Sequence, residues 1–162
     1  NYASLNTLGR TPVVMRRPIE RLVRLLRPQA ESQKIAIVVD IPANPVGTVM
    51  ADSVQLEQVL LNLALNAIAA MPDGGTLTFK VAKQDTAVRI DVVDTGQGIP
   101  VEVQSQVFDP YFTTRPEGTG MGLALCYKIV QQHGGTIDFR SGEDRGISGT
   151  EFTVLLPLDE PT

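Results

Sequence analysis

"SVQLEQVLLNLALNAIAA", residues 53–70, reads as an apolar helix interrupted at a fixed interval, because Gln58, Asn62 and Asn66 recur every four residues. That spacing puts three amides on one face of a helix whose other positions read as core. An amide buried without a partner costs about 1–3 kcal/mol. The stripe therefore bonds within the core or faces a polar ligand, and these residues alone leave both readings open. A neutral amide oxygen is a poor sole metal ligand, but it suits Mg²⁺ already held by phosphates and water. The helix has marked ends. Asp52 with Gln55 three residues on resembles a capping box, and "PDGG", residues 72–75, forces a turn.

Outward from this helix, "KIAIVVDI" (34–41) reads as a strand and "GTVMAD" (47–52) as a second, short one. "TLTFKVA" (76–82) and "AVRIDVVD" (87–94) form a strand pair with period-2 alternation, and a short helix follows Pro100. An irregular segment from 108 to 120, a helix from 121 to 133, and the strands "GTIDFR" (135–140) and "GTEFTVLLP" (149–157) complete the chain. Helices alternating with mostly hairpin-connected strands predict a two-layer α/β (α+β) sandwich, with helices on one face of a mixed, mostly antiparallel sheet.

A length of 162 residues fits one domain, and 43% hydrophobic residues suffice for a core. A net charge of −4 and a pI near 4.9 argue against a nucleic-acid surface. No apolar run approaches membrane-spanning length, so no membrane contact is expected of this chain, and the lack of a signal-like segment fits a cytoplasmic address. Residues 1–14 read as the end of an upstream segment or linker, 15–158 as the domain and 159–162 as a tail. Ile19, Leu22, Val23 and Leu26 make one face of an amphipathic helix whose opposite face is rich in arginine, either solvated or a docking surface. Cys126, the only cysteine, shares a helical stripe with Leu123, Tyr127 and Val130 and reads as a buried thiol.

Two further stretches carry polar chemistry. In "VVDTGQGIP" (92–100), Asp94 ends an apolar strand and Gly96 and Gly98 follow; this is an Asp-turn, or a carboxylate that accepts from an amine beside glycines that admit a flat ring. "GTGMGLAL" (118–125) is a glycine-rich turn entering a helix, hence a tight turn or a phosphate cradle, and it fits neither the P-loop nor the dinucleotide fingerprint.

In this order the stretches resemble the ATP-binding catalytic domain of bacterial two-component sensor histidine kinases, within the gyrase, chaperone, histidine kinase and mismatch-repair ATPase superfamily. "QVLLNLALNA" is similar to that family's asparagine box, "DTGQGIP" to its first glycine box, "FDPYFTT" to its phenylalanine box and "GTGMGLAL" to its second glycine box. "HGGTI" and "GTEFTVLLP" resemble the closing strands. "NAIAAMPDGG" with "FTTRPEGTGMGLAL" further resembles the branch containing nitrogen-regulation and dicarboxylate sensors.

The resemblance implies a Bergerat-type ATP-binding fold with ATP and Mg²⁺ as cofactors. Asn66 would ligate Mg²⁺, with Asn62 supporting it one turn earlier and Arg115 reaching the γ-phosphate. Asp94 would accept from the adenine amine, with Gly96, Gly98, Ile99 and Thr150 shaping the ring pocket. Gly118, Thr119, Gly120, Met121, Gly122 and Leu123 would line the phosphates. Phe108, Phe112 and Thr114 would belong to a lid spanning residues 109–119 and its anchors. Such a kinase phosphorylates a histidine on a separate dimerisation hairpin, then serves a cognate response regulator. The resemblance thus implies a monomeric fragment of a homodimer, not expected to phosphorylate itself. The sole histidine, His133, reads as helix-end packing or capping. The alternatives are an ATPase of the gyrase, mismatch-repair and chaperone group, a nucleotide-dependent binding module, or a serine kinase. The ATPases carry a glutamate where this chain has Asn62, and an amide cannot take a proton from water.

Overall fold

The computed structural model describes residues 9–44, 46–110, 122–142 and 148–159. Its elements run β1 (Thr11–Val13), α1 (Arg16–Ser32), β2 (Ile35–Asp40), β3 (Val49–Ala51), α2 (Ser53–Ala69), β4 (Gly75–Gln84) and β5 (Ala87–Asp94). A 3-10 turn (Val101–Gln106), α3 (Gly122–Gln132), β6 (Thr136–Ser141) and β7 (Thr150–Pro157) follow. Five strands form one sheet in the order β2-β4-β5-β7-β6, parallel only between β2 and β4. This is the two-layer mixed sheet that the alternation predicts.

The period-2 pattern decides which face is covered. Leu77, Phe79 and Val81 of β4, Val88, Ile90 and Val92 of β5, and Phe152, Val154 and Leu156 of β7 are buried in one core with the apolar faces of the helices. Helix α2 lies between α1 and α3 and supplies Leu56, Val59, Leu60, Leu63, Ala64, Ala67 and Ile68. Helix α1 buries Ile19, Leu22, Val23 and Leu26 as its spacing predicts, while Arg17, Arg21, Arg24 and Arg27 stay exposed.

Three details depart from the sequence reading. Residues 11–13, which show no period, form β1; its partner β3 lies far along the chain, and the two make a separate ribbon with Thr11 opposite Ala51. The capping box is half realised. Asp52 Oδ1 accepts from the N–H groups of Val54 and Gln55, but the Asp52 N–H that Gln55 would satisfy donates to His133 Nε2 at 3.1 Å. The Cys126 stripe is also narrower than expected, since Cys126 and Val130 are buried but Tyr127 is 39% exposed and packs on Phe108.

Candidate functional site

The site forms where the ends of β5, β6 and β7 meet the ends of α2 and α3. Asp94, the last residue of β5, pairs across the ladder with Thr150, and Thr150 pairs with Ser141. Alternation puts all three side chains on the helix-covered face, where Asp94 as a residue is only 5% exposed. Asp94 Oδ1 accepts from Gly96 N–H at 2.8 Å and from Thr150 N–H at 3.2 Å. Among the described residues, Oδ2 takes no hydrogen bond. Burial pushes the Asp94 carboxyl above its ordinary value, and the two backbone donors pull part of the way back.

Around the carboxylate the backbone is tightly constrained. Ile99 N–H donates to Ser141 Oγ at 2.6 Å, Ser141 Oγ lies 2.7 Å from Thr150 Oγ1, and Ser148 Oγ donates to the Gly96 carbonyl at 2.9 Å. Glycine at 96 has a packing reason: a Cβ there would stand 2.3 Å from the Ala70 carbonyl oxygen at the end of α2. Gly98, at φ +79°, makes the turn that brings Ile99 to Ser141.

On α2 the amide stripe is not sealed in the core. Gln58 is exposed, and Asn62 and Asn66 are half-buried. Asn62 Nδ2 donates to the Gly122 carbonyl at 3.4 Å, tying the asparagine helix to the start of α3. Phe108 sits in an aromatic cluster with Tyr127, Phe139 and Phe152, at centroid distances of 5.5, 5.9 and 6.3 Å. Ile99 and Leu123 pack partly buried against the core. Phe112, Thr114, Arg115, Gly118, Thr119, Gly120 and Met121, and with them most of the expected lid, lie outside the described residues.

Asp94, Gly96, Gly98, Ile99 and Thr150 are therefore one cluster, and Asn62 reaches Gly122. Ser141 and Ser148 are not among the residues the sequence points to. In "TIDFRS" the alternation that buries Ile137 gives the slot of Ser141 to a hydroxyl, which is the signal that could have found it. Away from the site, His133 is buried with both ring nitrogens engaged, Nδ1 on the Ile129 carbonyl at 2.8 Å and Nε2 on Asp52 N–H. These bonds place the proton on Nδ1. Cys126 is fully buried, and burial raises its thiol to about 12.

Residues 51–160 match the family described as histidine kinase-, DNA gyrase B- and HSP90-like ATPase. The chain belongs to this family, and its relatives place it among the sensor histidine kinases. It is 45% identical over 111 residues to the sensor histidine kinase ZraS of Escherichia coli K12, across 68% of this chain and 23% of that protein. It thus spans about a quarter of that relative. The catalytic domain of histidine kinase ThkA superposes with a TM-score of 0.82 at 31% identity, over 93% of this chain and 96% of that one. ThkA in complex with the response regulator TrrA gives 0.77 at 29% identity, over 91% and 41%. Full-length ShkA in complex with AMPPNP gives 0.81 at 29%, over 93% and 31%.

Proposed function

We propose that this domain binds Mg·ATP and donates its γ-phosphoryl group to a histidine on a dimerisation hairpin elsewhere in the full-length protein, as the cytoplasmic kinase core of a two-component sensor. The observation that carries the reading is the Asp94 carboxylate, buried at the end of β5 with Oδ1 held by two backbone donors and Oδ2 without a donor among the described residues. An acceptor fixed in this way suits the exocyclic amine of adenine. The ATP-family match and the AMPPNP complex of ShkA support the choice of nucleotide.

Asn66, half-buried on the same helix face as Asn62, would hold Mg²⁺ through its amide oxygen, and no acidic cluster is required because the phosphates bring the charge. When bound, Mg²⁺ neutralises charge on the phosphates. Asn62 fixes the start of α3, where the phosphates would meet backbone N–H groups and the positive end of the helix dipole. Its amide cannot deprotonate water, which favours transfer to another acceptor over hydrolysis. His133 is not that acceptor: it is buried, and its Nε2 serves the cap of α2. The response regulator in the ThkA complex supports a partner of that class for the full-length protein, which would act as a homodimer.

Calorimetry tests the reading. Asp94→Asn should weaken ADP and ATP alike, by about 1.5–3 kcal/mol for one charge-assisted bond. An unchanged ADP affinity would remove Asp94 from the site.

A further inference from the structure

Residues 95–100 link β5 to the 3-10 turn and form the wall of the site beside Asp94, pinned along their length. Gly96 N–H donates to Asp94 Oδ1, the Gly96 carbonyl accepts from Ser148 Oγ, and Gln97 N–H donates to the Ala70 carbonyl at 3.0 Å. Ile99 is held on both sides: its N–H donates to Ser141 Oγ at 2.6 Å, and its carbonyl accepts from Gln104 Nε2 at 2.9 Å. Fixing the peptide planes on either side of a residue fixes its φ and ψ, and with them the direction of its Cβ. Isoleucine is also stiff at χ1, so a fixed backbone leaves this side chain little freedom. Ile99 belongs to the surroundings of the buried carboxylate, because Ser141 Oγ also lies 2.7 Å from Thr150 Oγ1, and Thr150 N–H donates to Asp94 Oδ1.

Gln104 differs from the other ties. It lies in the 3-10 turn Val101–Gln106, no residue of which is buried, and Val107, 2% exposed, secures the chain just beyond. Its amide reaches back over the turn to a carbonyl outside any strand or helix. We propose that Gln104 is a positioning residue for the nucleotide: by holding the Ile99 carbonyl, it keeps the Ile99 side chain against the face of a base whose edge amine Asp94 accepts. The inference rests on the nucleotide reading above. A flat ring bonded at its edge needs an apolar contact on its face, and Ile99 is a partly buried apolar side chain of this wall. Gln104 touches no ligand in this scheme and acts through Ile99 alone.

The test is a double-mutant cycle read by calorimetry with ADP, using the parent, Gln104→Met, Ile99→Ala and the pair. Methionine keeps the side-chain length and removes the donor, and an exposed turn anchored by Val107 should fold with it. Gln104→Met should weaken ADP about threefold to tenfold, the range of one hydrogen bond, by the same factor with and without Mg²⁺. In the Ile99→Ala background the same change should cost nothing more, since no side chain is left to orient. A Gln104→Met variant that binds ADP as the parent does, a loss that persists undiminished in the Ile99→Ala background, or a loss confined to the metal-bound nucleotide would overturn the inference. A parent without affinity for ADP, or an Asp94→Asn variant that binds as the parent does, would instead overturn the nucleotide reading beneath it.

Discussion

With the role proposed for it, Asp94 sets function against stability. Its carboxyl is raised above 3.8, chiefly by burial. Between 3.8 and the raised value, the folded chain holds a proton that the unfolded chain has released, so stability falls as pH rises through that window. Above it the buried charge is a net cost. Asn in its place keeps an oxygen for Gly96 and Thr150 and removes the charge. Asp94→Asn should therefore melt at or above the parent at neutral pH, with the difference shrinking as the pH falls through the window; a variant clearly less stable at neutral pH would contradict this. Asn66 gives the complementary case. Asn66→Ala should weaken Mg·ATP much more than metal-free nucleotide, and equal losses in the two titrations would take the metal away from it. Asp94 was legible in the sequence because a carboxylate ending an apolar strand beside two glycines is locally conspicuous. Ser141 was not, since its partners Ile99 and Thr150 meet only when β6, β7 and the glycine loop close together.

Helices α2 and α3 run antiparallel, crossed by three polar links: Asn62 to the Gly122 carbonyl, the Cys126 thiol to the Val59 carbonyl at 3.7 Å, and His133 Nε2 to Asp52 N–H. The links fix the register of one helix on the other, so the asparagines and the start of α3 are placed together. Arg10 Nη2 also donates to the Gln132 carbonyl, where a cation meets the negative end of the α3 dipole. His133→Gln keeps an acceptor for Asp52 N–H, whereas His133→Ala leaves a part-buried donor unmet. Thermal unfolding should rank parent, His133→Gln, His133→Ala in falling order, the last down by about 1–3 kcal/mol; equal midpoints for the two variants would contradict the link. Cys126, with its thiol raised to about 12, should react with iodoacetamide only as fast as the domain opens. Alkylation of the native protein at the rate of a free thiol would refute its burial. The long elements were legible because periodicity is a local signal. β1 was not, because three residues carry no period and become a strand only when β3 arrives.

At the scale of the whole molecule, the proposed function makes this domain the nucleotide-binding half of a kinase. A buried acceptor, an asparagine helix and the start of a glycine-led helix lie toward one end of the strands, and the sole histidine is committed to helix packing at the opposite ends of α2 and α3. Phosphoryl transfer is mostly positioning and electrostatics, so on that proposal the hairpin supplies the nucleophile and its local activation. The direct measurement is to incubate the domain with labelled Mg·ATP, alone and with the histidine-bearing hairpin of the full-length protein, and to assay acid-labile phosphate. The account predicts label on the hairpin only, lost with Asn66→Ala and retained with His133→Gln. Label on a peptide containing His133, or release of inorganic phosphate with an unlabelled hairpin, would contradict it.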